Sequence, residues 1–187
     1  MLKNVSVRNL RDSGIRGEFP EIMKYRAAAR KRGVNYAKLA VNDKLDIGHG
    51  VNLEVLAPSL QPLFEKTNDR SLVLKLTYGD VSVILPGDAE IEEEKWLVDN
   101  CAESLKCDIL KSPHHGSSTS VYEPFLGLVN PEVVVISCAM VNKFGHPHSE
   151  TLAKYRKRSY KVYRTDYNGT ITITTNGDQY KIETEKQ

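Results

Sequence analysis

Imidazole and carboxylate side chains are concentrated in three short segments of the sequence. Residues 112–117 (SPHHGS) contain His114 and His115, and residues 144–149 (FGHPHS) contain His146 and His148, which together are four of the five histidines. Residues 85–90 (LPGDAE) contain Asp88. Imidazole nitrogen and carboxylate oxygen are preferred donors for zinc, manganese and iron. Taken together, the three segments indicate a metal site.

The elements expected around these segments would bring them to one edge of a sheet. Each segment follows an apolar run typical of a strand and precedes a helical pattern. In α/β proteins, side chains that leave the carboxyl ends of neighbouring strands converge on the crevice where ligands bind. We therefore expect Asp88, His115 and His146 to share one crevice, with His114 adjoining it.

Each candidate also has a purely structural interpretation when it is considered alone. Asp88 could cap the amino end of the helix that follows it. His114 and His115 could be loop histidines bonded to the backbone, and His148 could be a cap or a surface residue. His49 stands in a glycine-rich turn between two predicted strands and is interpreted as structural. Only the combination of segments favours a metal site.

Strand and helix patterns alternate along most of the chain. Helices are predicted over residues 19–33, 89–100, 122–128 and 149–158, and strands over residues 37–41, 52–56, 72–77, 81–85, 108–110, 133–136, 161–164, 170–174 and 179–183. The dipeptides Gly79-Asp80 and Asn176-Gly177 favour hairpin turns. This alternation predicts a layered α/β protein.

Length and composition are those of one compact domain over residues 1–187 that contains a buried core. Hydrophobic residues make up 40% of the chain and charged residues 27%, and the net charge of +2 lacks the strong basic excess of most nucleic-acid-binding domains. Three cysteines without a C-x-x-C pair argue against a disulfide framework. The sequence contains no apolar stretch of the roughly 20 residues that a membrane span needs. We therefore expect a cytoplasmic protein with no membrane segment.

Six ordered motifs resemble a known family. They are residues 68–74 (NDRSLVL), 85–90 (LPGDAE), 108–117 (DILKSPHHGS), 135–137 (VIS), 142–148 (NKFGHPH) and 163–169 (YRTDYNG). In this order they resemble the metallo-β-lactamase-type hydrolase domain of competence DNA-uptake channel proteins and their free-standing relatives, over roughly residues 35–175. The resemblance implies an α/β fold, a metallo-β-lactamase-like αββα sandwich, with one or two metal ions at the edge between its sheets.

The resemblance also implies roles for the site residues. Asp88 would be the carboxylate that bridges two metals, and His115 would be a metal ligand. His114 would contact a substrate phosphate or transfer a proton, and His146 would act as a general acid or phosphate ligand. The cofactor would be zinc or manganese, one or two ions, which activate water and stabilise the leaving oxygen.

One family motif does not occur in this sequence. The first metal motif, His-x-His-x-Asp-His, is absent, so the expected fold is the C-terminal portion, lacking part of its N-terminal half. Three explanations are open: a fragment or shortened gene product, a relative that lost catalysis and kept the fold for binding or scaffolding, or a site completed in a different way, for example by a partner chain. We expect weak metal binding and little activity, because affinity depends on ligand number. Exposed strand edges in the region of residues 1–60 further predict a homo-oligomer.

Three functions are compatible with these residues. The leading hypothesis is metal-dependent hydrolysis of a phosphodiester, with DNA or RNA as the substrate. The basic residues Lys111, Lys143 and Arg164 could attract its phosphates or be ordinary surface charges. The alternative is a non-catalytic binding or scaffold module that keeps the fold. Hydrolysis of a β-lactam or thioester is a third reading, for which the sequence shows no substrate motif.

Overall fold

The computed structural model describes residues 5–14, 20–59 and 68–186. Within these ranges the strands are β1 (Asn9–Asp12), β2 (Asn35–Lys38), β3 (Lys44–Asp46), β4 (Val51–Ala57), β5 (Val73–Tyr78), β6 (Val81–Leu85), β7 (Ile109–Lys111), β8 (Val133–Ile136), β9 (Lys161–Arg164), β10 (Ile171–Thr175) and β11 (Tyr180–Thr184). The helices are α1 (Pro20–Lys31), α2 (Ile91–Cys101), α3 (Glu123–Val129), α4 (Ser149–Lys157) and the single turn α5 (Thr165–Asn168).

A mixed sheet of seven strands forms the centre of the fold. Its order is β3-β4-β5-β6-β7-β8-β9, with antiparallel pairing from β3 to β6 and parallel pairing from β6 to β9. The change of direction has a local cause: the Gly79-Asp80 turn forces an antiparallel pair, whereas helices α2, α3 and α4 serve as the crossovers that parallel pairing requires. The carboxyl ends of β6, β7, β8 and β9 therefore lie along one edge.

The core lies between the central sheet and the three crossover helices. Its largest fully buried apolar side chains include Ile84, Leu97, Leu110, Phe125, Leu126, Ile136 and Tyr155. Fully burying one aliphatic or aromatic side chain of this size contributes roughly 1.5–3 kcal/mol. The strands that carry the candidate site are thus anchored along their length by apolar packing.

Two small sheets complete the described chain. Strands β1 and β2 pair in parallel, with α1 connecting them in sequence, and β10 and β11 form the hairpin that the Asn176-Gly177 dipeptide predicted. The tip of this hairpin touches the β5–β6 turn, since the Asp80 amide donates to the Gly177 carbonyl at 2.7 Å. A Cβ at Gly79 would lie 2.4 Å from that carbonyl oxygen, so glycine is required for this approach.

The α/β class predicted from the sequence is confirmed by this mixed sheet with its helices. Strands β6, β8 and β9 have the predicted bounds, whereas β1, β3 and α5 were not predicted. The first helix runs from Pro20 to Lys31; residue 19, with which the predicted helix began, is outside the described residues. None of the helices within the described ranges combines the length and apolar character that crossing a membrane requires.

Candidate metal centre

The segments that contain Asp88 and the histidine pair are tied together by one carbonyl group. Asp88 follows β6, and His114 and His115 follow the neighbouring strand β7. The Gly87 carbonyl accepts hydrogen bonds from the His114 amide at 3.2 Å and from Lys111 Nζ at 3.3 Å. As a result, His115 Nε2 lies 3.4 Å from Asp88 Oδ1, and both side chains remain a little under half exposed, at 43% and 46%.

The imidazole of His115 has a defined orientation. Its Nδ1 lies 2.7 Å from the Ser137 carbonyl at the end of β8. Because a carbonyl oxygen only accepts, Nδ1 must carry the proton of this hydrogen bond. In the neutral ring, Nε2 then directs its lone pair at the Asp88 carboxylate, and two acceptors face each other across 3.4 Å. A proton or a cation between them relieves that repulsion.

The spacing of this pair fits a metal ion. Two donors at about 2.0–2.1 Å from a tetrahedral ion lie about 3.3 Å apart, close to the observed 3.4 Å. Within the described ranges no group of three or more histidine, cysteine or acidic side chains is arranged to hold an ion. Asp88 and His115 therefore supply two ligands, and further positions fall to water or to groups outside these ranges.

The backbone of the histidine pair is strained. His114 and His115 have φ values of 44° and 55°, in the left-handed region that costs a residue with a side chain roughly 1–2 kcal/mol, and Gly116 follows at 82°. Three hydrogen bonds hold the turn: from the His114 amide to Gly87, from the Ser117 amide to the His114 carbonyl, and from the His148 amide to the Gly116 carbonyl. Strain of this kind persists where surrounding structure fixes it, and it concentrates at functional sites.

His114 lies deeper than His115 and faces a second carboxylate. Its Nδ1 is 3.4 Å from Glu90 Oε1, close enough for an electrostatic pair, although it makes no hydrogen bond to any described residue. Glu90 is itself held by Thr119 and Asn68, whose hydroxyl and amide donate to Oε1 at 3.1 and 3.2 Å. Glu90 was not among the predicted site residues, because nothing local in the sequence links it to a histidine in the next loop.

His146 lies among the other histidines of the cluster. Its ring centroid is 5.4 Å from that of His114, 6.5 Å from His115 and 5.0 Å from His148, and Phe144 stacks on it at 5.6 Å. Burial lowers the pKa of His146, the neighbouring imidazoles lower it further, and Asp88 opposes them. The neutral form of His146 is thereby favoured.

Among the structural interpretations, the cap at Asp88 is wrong, whereas the backbone bond of His115 fits the structure. Helix α2 begins at Ile91 with Glu90 at its cap position, so Asp88 is not the cap. His148 occupies the cap position of α4, although its side chain makes no cap bond there. Its Nδ1 accepts instead from the Ser118 amide at 3.0 Å, and its ring packs on His146. His49 lies exposed in the turn between β3 and β4, as the glycines around it predict.

The three basic candidates have different surroundings. Lys111 is half-buried at the wall of the site, where its Nζ donates to the Gly87 and Ser112 carbonyls. Burial lowers the pKa of Lys111, and Asp88 partly offsets this. Lys143 lies over the Phe144 ring at 4.8 Å. Arg164 forms an ion pair with Asp166, in which Nη2 and Oδ2 are 2.6 Å apart, so its charge is already paired within the chain.

Comparisons with known proteins identify relatives among competence proteins. The chain is 38% identical over 152 residues to "ComE operon protein 3" of Bacillus subtilis, an alignment that covers 81% of this chain and 19% of the relative. It is 33% identical to "Competence protein ComA" of Neisseria gonorrhoeae over 65% of this chain and 18% of that one. "Recombination protein 2" of Haemophilus influenzae is 27% identical over 88% of this chain and 20% of its own length.

The chain thus spans about a fifth of the length of these relatives. No protein-family model matches it. Among solved structures, a protein of the metallo-β-lactamase superfamily from Thermotoga maritima matches with a TM-score of 0.41 and 10% identity, covering 84% of this chain and 80% of that one. The resemblance to competence proteins is confirmed by these relatives, and the expected α/β class is confirmed by the mixed sheet with its helices.

Proposed function

We propose that this chain is a metal-dependent hydrolase domain that acts on phosphodiesters, with nucleic acid as the substrate. The observation that carries the proposal is the 3.4 Å approach of Asp88 and His115, with the His115 ring fixed through its other nitrogen. A metal-ligating histidine commonly donates its second ring N–H to a carbonyl in this way, which fixes the tautomer of the ligand. Competence proteins among the relatives support nucleic acid as the substrate class.

Asp88 and His115 would hold the metal, zinc or manganese. When bound, such an ion lowers the pKa of a coordinated water and stabilises negative charge on a phosphoryl oxygen. Donor chemistry suits both ions, because each accepts imidazole nitrogen and carboxylate oxygen. Partial exposure of both side chains leaves the pair open to a ligand.

The remaining histidines would handle the substrate and its protons. His114 has Glu90 Oε1 3.4 Å from its Nδ1, which is close enough for a proton to pass between the imidazole and the carboxylate. His146 lies beside it and is kept neutral by burial and by the neighbouring imidazoles. A neutral imidazole donates one hydrogen bond, so His146 can bind a phosphoryl oxygen without holding a full charge.

Metal titration and hydrolysis together test this proposal. We expect Mn²⁺ or Zn²⁺ binding, measured by calorimetry, to weaken at least about tenfold in Asp88→Asn, because a coordinating carboxylate becomes a poor amide donor. Hydrolysis of bis(p-nitrophenyl) phosphate and of a labelled oligonucleotide should fall with it. Asp178→Asn is the matched control, since Asp178 is exposed in the turn between β10 and β11.

The possible outcomes separate the two leading functions. Metal binding that is equal in the wild type and Asp88→Asn would contradict the assigned site. Metal binding that depends on Asp88 but is accompanied by no hydrolysis of either substrate would favour the non-catalytic binding module. Hydrolysis lost in Asp88→Asn and kept in Asp178→Asn supports the enzyme.

A further inference from the structure

The hydroxyl of Thr165, at the start of α5, makes two hydrogen bonds to one residue. Thr165 Oγ1 accepts from the Cys138 amide at 2.8 Å and donates to the Cys138 carbonyl at 2.8 Å. A hydroxyl has one proton to donate, so this pair of contacts fixes its orientation. Residue 138 directly follows the carbonyl group that orients His115.

One peptide group links Thr165 to His115. The Cys138 N–H and the Ser137 C=O belong to the same planar unit, which turns as a rigid body. Its N–H donates to Thr165 at 2.8 Å, and its C=O accepts from His115 Nδ1 at 2.7 Å. Fixing one end therefore fixes the other, and hydrogen bonds in such a chain polarise one another.

Asp166, the residue after Thr165, makes a further contact with Cys138. Asp166 accepts from Cys138 Sγ at 3.2 Å and takes two hydrogen bonds from Arg164, through Nε at 3.0 Å and Nη2 at 2.6 Å. Its side chain is only 5% exposed. The start of α5, which directly follows β9, is thus hydrogen-bonded to Cys138, just beyond the end of β8, through both backbone and side-chain groups of that cysteine.

We infer that Thr165 is a positioning residue that keeps the proton of His115 on Nδ1 and its Nε2 directed at Asp88. The inference rests on the proposed function for its purpose, because an unprotonated Nε2 is what a metal ion needs. Its geometry does not depend on that function. Without the Thr165 hydroxyl, the peptide group is released to rotate, and the Ser137 carbonyl no longer selects the Nδ1–H form.

Nitrogen NMR of the metal-free protein measures this directly. At alkaline pH, where imidazoles are neutral, the ¹⁵N shifts of His115 report which ring nitrogen carries the proton. We expect the Nδ1–H tautomer in the wild type and in Thr165→Ser, which keeps the hydroxyl. Thr165→Val keeps the branched shape but removes both hydrogen bonds, and should shift His115 toward the Nε2–H form. Thr172→Val is the matched control, at an exposed position of β10.

Metal affinity gives a second readout. The dissociation constant for Mn²⁺ should rise about tenfold in Thr165→Val and stay near the wild-type value in Thr165→Ser. An unchanged His115 tautomer in Thr165→Val would overturn the inference, and so would its loss in Thr165→Ser. Thr165→Ala provides the same test if the valine variant does not fold. A wild-type chain with the Nδ1–H tautomer and no metal binding would contradict the proposed function alone.

Discussion

Two aspartates show how differently the same side chain is used in two regions of this molecule. Asp12 ends β1, and its carboxylate accepts hydrogen bonds from the Tyr25 hydroxyl, from the Tyr36 hydroxyl at 2.9 Å, from the Gly14 amide at 2.7 Å and from Arg26 Nε at 2.9 Å. Asp88, beside the end of β6, has His115 Nε2 3.4 Å from its Oδ1, and its charge also acts on Lys111 and His146. Asp12 is saturated with donors; among the described residues, none donates to the Asp88 carboxylate.

The four hydrogen bonds to the Asp12 carboxylate lower its pKa. Burial raises the pKa of Asp12, but hydrogen bonds from Tyr25, Gly14, Tyr36 and Arg26 outweigh it, and the net shift is downward. Burial and the bond to Asp12 raise the pKa of Tyr25 to about 12. A carboxylate with four donors holds β1, α1 and β2 together and has no lone pair to spare for a ligand.

The difference in hydrogen-bond donors suggests that Asp12 is a structural carboxylate, whereas the Asp88 carboxylate is available to a cation. Asp12 joins residues from three elements that share few fully buried apolar side chains, so its polar contacts hold the unit together. Asp88 stands on a sheet edge already anchored by a packed core, and its loss leaves that core intact. Stability should therefore depend on Asp12, and ligand binding on Asp88.

Alanine substitutions test that division, and the largest effect is expected at Asp12. Asp12→Ala leaves a guanidinium and two hydroxyls without their acceptor, and we expect the free energy of unfolding to fall by about 3 kcal/mol. Asp88→Ala should change it by less than about 0.5 kcal/mol or stabilise the chain, since it relieves the approach to His115. Urea denaturation followed by circular dichroism measures both. Equal losses in the two variants would refute the division.

Glu93 sharpens the comparison because it is fully buried, whereas Asp12 is partly buried, and yet Glu93 is poorly supplied with donors. Its Oε2 accepts from the Ser71 amide at 3.0 Å, whereas its Oε1 is buried without a hydrogen bond to any described residue. Burial raises the pKa of Glu93 to about 9, against which the Ser71 bond is insufficient. The native state therefore keeps a proton that the unfolded chain has already released.

The sign of the pH dependence follows. Glu93 contributes fully to the free energy of unfolding below the pKa that it has in the unfolded chain, and this contribution is lost as pH rises toward about 9. Asp12 behaves in the opposite way: its contribution is present above the pKa that it has in the unfolded chain and is lost in acid. Between about pH 6 and pH 8 the free energy of unfolding of the wild type should fall by about 3 kcal/mol, a loss that Glu93→Gln should not show. Glu92→Gln, exposed on the same helix, is the control. Parallel pH profiles for wild type and Glu93→Gln would show that Glu93 is ionised when folded.

Sequence reasoning succeeded where the signal was local. The apolar runs of β6 and β8 predicted their bounds, because a buried parallel strand is largely apolar. Strand β9 (KVYR) is only partly buried and followed instead from the alternation of helices and strands. Asp88 and the histidines follow such strands, so the edge on which they meet could be predicted from the α/β alternation. The hairpin of β10 and β11 followed from Asn176-Gly177.

The parts that failed depend on contacts between distant residues. Strand β1 (NLRD) has no apolar alternation, and its pairing with β2 bridges about 26 positions, so no local pattern identifies it. The carboxylate of Glu90 approaches a histidine 24 positions away, and the Ser137 carbonyl orients His115 through the backbone. A backbone carbonyl carries no residue-type signal, which is why sequence could propose His115 as a ligand but not its tautomer.

The smallest expected effect tests whether the donors of Asp12 act one by one. Tyr36→Phe removes a single hydrogen bond at 2.9 Å and leaves the ring, over which Arg26 lies at 5.5 Å, in place. We expect a loss of about 1 kcal/mol in the free energy of unfolding and a rise in the pKa of Asp12, because one stabilising donor is gone. Tyr167→Phe is the matched control: its ring is exposed and covers Arg164 at 4.0 Å, a contact that phenylalanine retains. Urea denaturation measures the stability, and carboxyl ¹³C NMR measures the pKa of Asp12. A loss as large as that of Asp12→Ala would mean that the network fails as a unit, whereas no loss would mean that the three remaining donors satisfy the carboxylate.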